Sequence, residues 1–279
     1  MKQILIFLFL PIATFAQTSG LHYHKVSFKL DSLLIIAKDT TRYLQEYEKL
    51  PLDSLMESEY FTAAKVYSRQ RNYRKFQSAA KKSFEAGQTS EVMIAFNSSL
   101  PQKEKSELLD LELEMKKKYF SKISKELYDE INELSILDSR IRDLHIRKMA
   151  DYSLVKIIDS LNLLQLRKLI QKFGMLTERK HGALFHKFFY LINHCAMYNY
   201  KDHEWMRKLF YQAVMDGDAR PDLYAYFVDR YEVINKRPQI YGSMTNSNPV
   251  QDWKKVDENR KNIGACNLWD WKLLRRGRF

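Results

Sequence analysis

Chain breakers are so scarce in this sequence that helices are the main structure open to it. Eight glycines and six prolines serve 279 residues, while good helix formers (Leu, Lys, Glu, Ile, Ala) are plentiful. The expected fold class is mainly α. It comprises antiparallel helices, an N-terminal helical hairpin and an irregular C-terminal arm able to form a short β-hairpin. The 17 Tyr and 16 Phe suggest cores and grooves lined by rings.

The first residues, MKQILIFLFLPIATFAQ, have the layout of a secretory signal peptide. Lys2 gives the positive start, Ile4 to Leu10 is an apolar run, and Thr14 and Ala16 are small residues before a cut at Gln17. The run is shorter than the ~20 residues that span a bilayer. The expectation is therefore an exported protein, periplasmic or extracellular after cleavage, with no transmembrane helix. Beyond the leader, the chain divides into a helical region, 17–100, and a C-terminal helical domain, 101–279. The net charge of +12 falls to +11 once Lys2 is removed. That charge suits a protein partner or an anionic envelope component rather than nucleic acid outside the cytoplasm. No basic block is longer than Lys116 to Lys118, so a solvated Lys-rich surface explains most of the charge.

After a loosely ordered lead-in holding His22 and His24, the period-3.6 pattern begins at Asp31 or Ser32 as cap, and a second helix restarts at Pro51 and Asp53. Residues 60–87 read as a hairpin: Ala63 and Ala64 permit close packing, Arg71-Asn72 turns the chain, and Gly87 ends the second helix. This hairpin resembles one tetratricopeptide-like unit, without a second copy at fixed period. Leu127, Ile131, Leu134, Leu137, Ile141 and Leu144 form a helical stripe. The next helix has Asp159 as cap, a stripe of Leu163, Leu166, Leu169, Ile170 and Phe173, and Gly174 as stop. Further helices are expected at 183–195, 203–216 and 221–235, with Pro221 in a first turn. Pro238, Gly242, Pro249 and Gly264 then break the periodicity.

A set of ordered motifs runs through the second half. Asp138 and Arg142 stand four apart; Asp159 and Asn162 form D-x-x-N, closed by Gly174; Gly182 precedes an apolar helix ending in His194. Asp229-Arg230 is followed by Q-x-Y-G at Gln239, Tyr241 and Gly242, then by Asp257, Arg260 and Gly264. Over roughly residues 125–268 this order resembles an uncharacterised bacterial family, the domain of unknown function numbered sixty-six twenty-four. Three places depart from that family's pattern: Asn193 replaces Gln before the His, Ser243 replaces Thr after the Gly, and Met175-Leu176 replaces Trp-Pro. The resemblance implies a shared fold and no activity.

Known catalytic layouts are missing, which leans against an enzyme. His203-Glu204 begins like a zinc-protease helix, but Arg207 stands where the second His belongs. His186 and His194 are two turns apart, roughly 12 Å, too far for one metal. No phosphate-binding loop, dinucleotide fingerprint or nucleophile elbow is present, so neither a metal nor a cofactor is expected. The remaining candidate cluster is His194, Asp229, Arg230, Gln239, Tyr241, Gly242, Asp257 and Arg260. It is either a pocket with His194 as acid or base and an Arg holding an anion, or a hydrogen-bonded corner. Three functions stay open: an interaction or scaffold protein, which is favoured; a binding module for an anionic small molecule or glycan; or an unrecognised hydrolase-like enzyme using that cluster. The two cysteines, Cys195 and Cys266, read as buried thiols more readily than as a disulfide.

Overall fold

A computed structural model describes residues 10–51, 55–98, 100–244, 249–250 and 252–277. Among them the chain forms fourteen α-helices, one π-helical turn and no sheet, so the fold is mainly α and multi-helical. The only extended pairing among these residues is an isolated parallel bridge between Gln239 and Val250. Among the described residues of the arm no ladder forms, and the Asp229 side chain takes the N–H groups of Ile240, Tyr241 and Ser243; residues 245–248 and 251, where the expected hairpin would turn and return, lie outside the described residues. No helix of the described residues is long and apolar enough to cross a membrane. Residues 1–9 of the expected leader lie outside the described residues.

The chain divides into two compact units, which do not follow the expected boundary at residue 100. A terminal unit takes residues up to Asp39 together with Met197 onward, and a central unit takes Thr40–Ala196. The terminal unit holds α1 (Leu10–Asp31), a π-helical turn (Ser32–Ile36), α11 (Tyr200–Met215), α12 (Pro221–Ile234), α13 (Trp253–Asn262) and α14 (Leu268–Gly277). Its N-terminal stretch is not the loose lead-in expected around the histidines. His24 is buried on α1, with its Nε2 2.8 Å from the Val214 carbonyl oxygen. Nor does Asp31 cap a helix: its backbone is helical and its side chain makes no capping bond. The reason is close packing. A Cβ on Gly20 would stand 2.3 Å from the Met215 oxygen, so α1 crosses the end of α11 backbone to backbone and continues the helix through the expected start.

The central unit holds α2 (Thr40–Glu48), α3 (Glu57–Arg69), α4 (Tyr73–Glu85), α5 (Ser90–Ala95), α6 (Gln102–Lys122), α7 (Lys125–Ile146), α8 (Tyr152–Phe173), α9 (Glu178–His181) and α10 (Ala183–Cys195). Fully buried Ala63 and Ala64 of α3 meet the buried face of α4 at Phe76 and Ala80. Arg71 takes the left-handed conformation (φ 57°) in the turn, and the Asn72 side chain caps α4 by accepting from Lys75 N–H. The expected restart at Asp53 lies outside the described residues; α3 begins at Glu57.

Helices α7, α8 and α10 share a core of Leu127, Ile131, Ile141, Leu163, Leu166 and Phe188. Two expectations fail here. Leu137 and Leu144 are 41% and 37% exposed while Asp138, beside Leu137, is buried. Asp159 does not cap α8. It lies two turns inside the helix, buried, and Asp151 accepts from Ser153 N–H at the true start. In both cases an internal ion pair takes a position that periodicity assigns to apolar side chains or caps.

Candidate functional site

In the terminal unit the candidate residues form a corner around one carboxylate. Pro221 opens α12, and two turns later the helix delivers Asp229, which is fully buried. Asp229 Oδ1 accepts from the N–H groups of Ile240 (2.8 Å) and Tyr241 (2.9 Å), and Oδ2 from Ser243 N–H and Oγ–H (2.7 Å each). Gln239 closes the same loop: its Oε1 accepts from Met244 N–H at 2.8 Å and its Nε2 donates to Met244 O at 3.0 Å. Gly242, at φ 63°, supplies the left-handed turn between these bonds.

From α13, Arg260 Nη1 donates to Tyr241 O at 2.9 Å, and Asn259 donates to Ile240 O at 3.2 Å. Asp257 lies one step outside, where its Oδ1 accepts from Leu268 N–H and caps α14. Arg230 does not enter the corner; its Nη1 meets the Tyr226 hydroxyl at 3.4 Å, one turn back on α12. Burial pushes the Asp229 carboxyl above its usual range, and the four donors pull against that shift. With both oxygens doubly occupied, Asp229 has no lone pair left to take a proton from a substrate. Its work is to clasp the arm.

His194 belongs to the central unit and has different partners. Asp138 and Arg142 lie one turn apart on α7, Asp159 comes from α8, and His194 from the last turn of α10. Arg142 Nη2 donates to Asp138 Oδ1 at 2.9 Å and to Asp159 Oδ1 at 2.5 Å. His194 Nδ1 lies 2.8 Å from Asp138 Oδ2 and 3.0 Å from Arg142 Nε. Nδ1 cannot both donate to the carboxylate and accept from the guanidinium. The carboxylate is the stronger acceptor and Arg142 Nε has the Asp138 oxygens at 3.2 and 3.3 Å, so the Nδ1 proton points to Asp138. Burial alone would raise the Asp138 pKa, but the bonds from His194 and Arg142 outweigh it and hold that carboxyl below its usual range.

This leaves His194 Nε2 as the basic nitrogen, on a ring 19% exposed. Neighbouring Cys195 donates to Leu191 O, and burial, reinforced by the Asp159 charge, pushes its thiol up. Both cysteines are free thiols. The network pins three helices together. Asn162, the last residue of the D-x-x-N motif, is buried with both amide atoms unpaired.

A cavity of about 250 Å³ also opens in the central unit, between α3, α4, α6 and α9. Lys82, Lys122, Arg179 and Lys180 line it together with buried Glu57 and Glu178. Glu57 accepts from Ser83 Oγ (2.9 Å) and Gln88 Nε2 (3.1 Å), and Glu178 from Ser58 Oγ (2.9 Å). No sequence signal points to this cavity, because its lining comes from four separate helices and no motif joins them. Asp138, Arg142 and Asp159 are different: the i,i+4 acid–base pair and the D-x-x-N are visible motifs that the candidate cluster omits. Among the described residues no group of three or more His, Cys, Asp or Glu side chains is placed to hold a metal ion. Comparison with family models, curated proteins and solved structures finds no match to this chain.

Proposed function

We propose that this chain is an exported interaction protein that associates with a second copy of itself through an apolar ridge on the α7–α8 hairpin. The signal-peptide layout of residues 1–17 supports export, and the ordered motifs support membership of the family of unknown function that the second half resembles. The observation that carries the reading is the ridge. Leu137 and Leu144 on α7, and Leu154, Ile157, Leu161 and Leu164 on α8, are each between 37% and 59% exposed. They lie on one side of the hairpin. Gln165 donates to Glu130 and Lys172 to Glu126 across the seam. Leu137 and Leu144 repeat the Glu130 face at seven-residue steps, while Leu161, Ile157 and Leu154 continue the Gln165 face. Monomeric proteins rarely expose a contiguous apolar patch beyond about 300–600 Å².

A second copy is the occupant that fits. The α8 spacing of three, four, three reads the same in both directions, as a two-fold contact requires. An antiparallel pairing centred between Ile157 and Leu161 sets Leu154 against Leu164. It also brings Lys168 beside Asp151 of the second copy at each end, and both residues are exposed. Replacing both Ile157 and Leu161 by Glu should leave helicity intact and convert a dimer to a monomer. Sedimentation velocity at tens of micromolar protein reads the result. A wild-type chain that stays monomeric, or a double variant that stays dimeric, overturns the reading.

A further inference from the structure

At the tip of the α7–α8 hairpin, in the central unit, every side chain from Asp143 to Met149 is exposed. Ile146, at 77%, is the most exposed large apolar side chain among the described residues, and Met149 follows at 72%. The turn that carries them is fixed by hydrogen bonds. Lys148 N–H donates to His145 O at 2.9 Å and Met149 N–H to Leu144 O at 2.8 Å. Lys148 takes the left-handed position (φ 59°) that glycine usually fills in this helix terminator. His145 Nδ1 lies 3.1 Å from Ala150 O, and Asp151 caps α8 through Ser153 N–H. In such a terminator the residue in the place of Met149 commonly packs back on its helix. Here it stays exposed on an ordered turn.

Positive charge surrounds this apolar point. Arg140, Arg147, Lys148 and Lys156 are exposed within two turns of it, against Asp143 and Asp151. Both acids are engaged: Asp143 accepts from Arg147 Nε at 3.0 Å, and Asp151 from Ser153 N–H. At the opposite end of the hairpin, residues 125–133 and 165–173, four acids balance four bases. The excess positive charge therefore sits at the tip. Tyr152 is exposed at its edge, with Lys156 Nζ 5.2 Å from the ring centroid. An apolar point ringed by Lys and Arg, with a tyrosine beside it, suits the boundary between acyl chains and anionic headgroups.

We infer that the hairpin tip docks on an anionic lipid bilayer, with Ile146 and Met149 entering the acyl boundary while Arg147, Lys148 and Lys156 meet lipid phosphates. A bilayer accepts a convex tip without the matching hollow that a folded protein would need. This goes beyond self-association. The paired stretch Leu154–Leu164 leaves the tip outside, and an antiparallel pair turns its two tips in opposite directions, so each tip meets a bilayer singly.

The test is co-sedimentation of the full chain with phosphatidylcholine vesicles, alone or with about one third phosphatidylglycerol. Wild-type protein should pellet with the anionic vesicles and stay in solution with the neutral ones. Replacing both Ile146 and Met149 by Ser removes apolar surface and leaves the charge, and should weaken partition onto anionic vesicles more than about tenfold. Lys148→Gly suits the left-handed backbone and removes one charge, so partition should weaken about fivefold with the fold intact by circular dichroism. The assignment is overturned if wild type leaves anionic vesicles unbound, which would return the tip to protein–protein contact, or if it binds neutral vesicles as tightly. It is also overturned if the Ser variant partitions like wild type, the mark of adsorption by overall charge. Sedimentation velocity reads self-association separately, so either reading can fail alone.

Discussion

His203 shows at the scale of one residue why a motif that begins like a metal site is something else. Its ring is 2% exposed and lies nearly parallel to Tyr231 and Phe227, with centroids 3.8 and 4.8 Å away. The neighbouring Glu204 is held by Arg207 at 2.7 Å, so the acid of the apparent motif is already paired. Burial, with the Arg207 charge added, lowers the His203 pKa from 6.5 to about 4. The unfolded chain therefore takes up the proton first as pH falls. Neutral His203 favours the native state fully above pH 6.5; that advantage declines between 6.5 and about 4 and stays lost below. The shift corresponds to up to about 3 kcal/mol. Denaturant unfolding at about pH 7 and about pH 4.5 should show a smaller acid penalty in His203→Phe, which preserves the stack and removes the titration. An equal penalty in both proteins would show that His203 is not its source.

At the scale of elements, the irregular arm after α12 depends on a single side chain rather than on sheet pairing. Asp229→Asn keeps the size of that side chain and turns one acceptor into a donor facing N–H or O–H groups. Leaving buried donors unmatched costs about 1–3 kcal/mol each. The variant should lose about 2–3 kcal/mol in urea unfolding and become sensitive to proteolysis within residues 236–252. Unchanged stability and cleavage would mean the arm is held elsewhere. The clasp is partly legible in the sequence: Pro238 and Gly242 mark the break, and their order groups Asp229, Gln239, Tyr241 and Arg260. Helices α10 and α12 are legible to within a residue or so, because Gly182 and Pro221 mark their starts. The apolar stripe of α7 is only half legible. Periodicity reports which residues share a face, not which face meets a partner. It therefore places Leu137 and Leu144 in the core, where Asp138 in fact goes to meet Arg142 and His194. Asp159 misleads for the same reason. An acid before an apolar run looks like a cap until the Arg on a neighbouring helix is known.

At the scale of the whole molecule, the order of the chain and the order of its cores disagree. The central unit is one continuous stretch, Thr40–Ala196, whereas the terminal unit needs residues from both ends. No local pattern in the sequence marks this, since the contact between α1 and α11 joins positions about 190 residues apart and leaves only glycines as a trace. The arrangement predicts that the segment 40–196 folds alone, because the Ala63–Phe76 and Leu166–Phe188 cores lie wholly within it. It also predicts that the terminal unit fails without α1. Tyr23 and Leu30 are buried there, and His24 meets the Val214 carbonyl. The four tryptophans, Trp205, Trp253, Trp269 and Trp271, all belong to the terminal unit, so their emission reports that unit and far-ultraviolet circular dichroism reports both. A chain that begins at Thr40 should show red-shifted tryptophan emission and lose the cooperative transition seen by tryptophan. It should keep a cooperative helical melt from the central unit. The isolated 40–196 segment should show that same melt. If removing residues before Thr40 leaves tryptophan emission unchanged, α1 is not part of the terminal core. If the 40–196 segment is unfolded, the central unit depends on the rest of the chain.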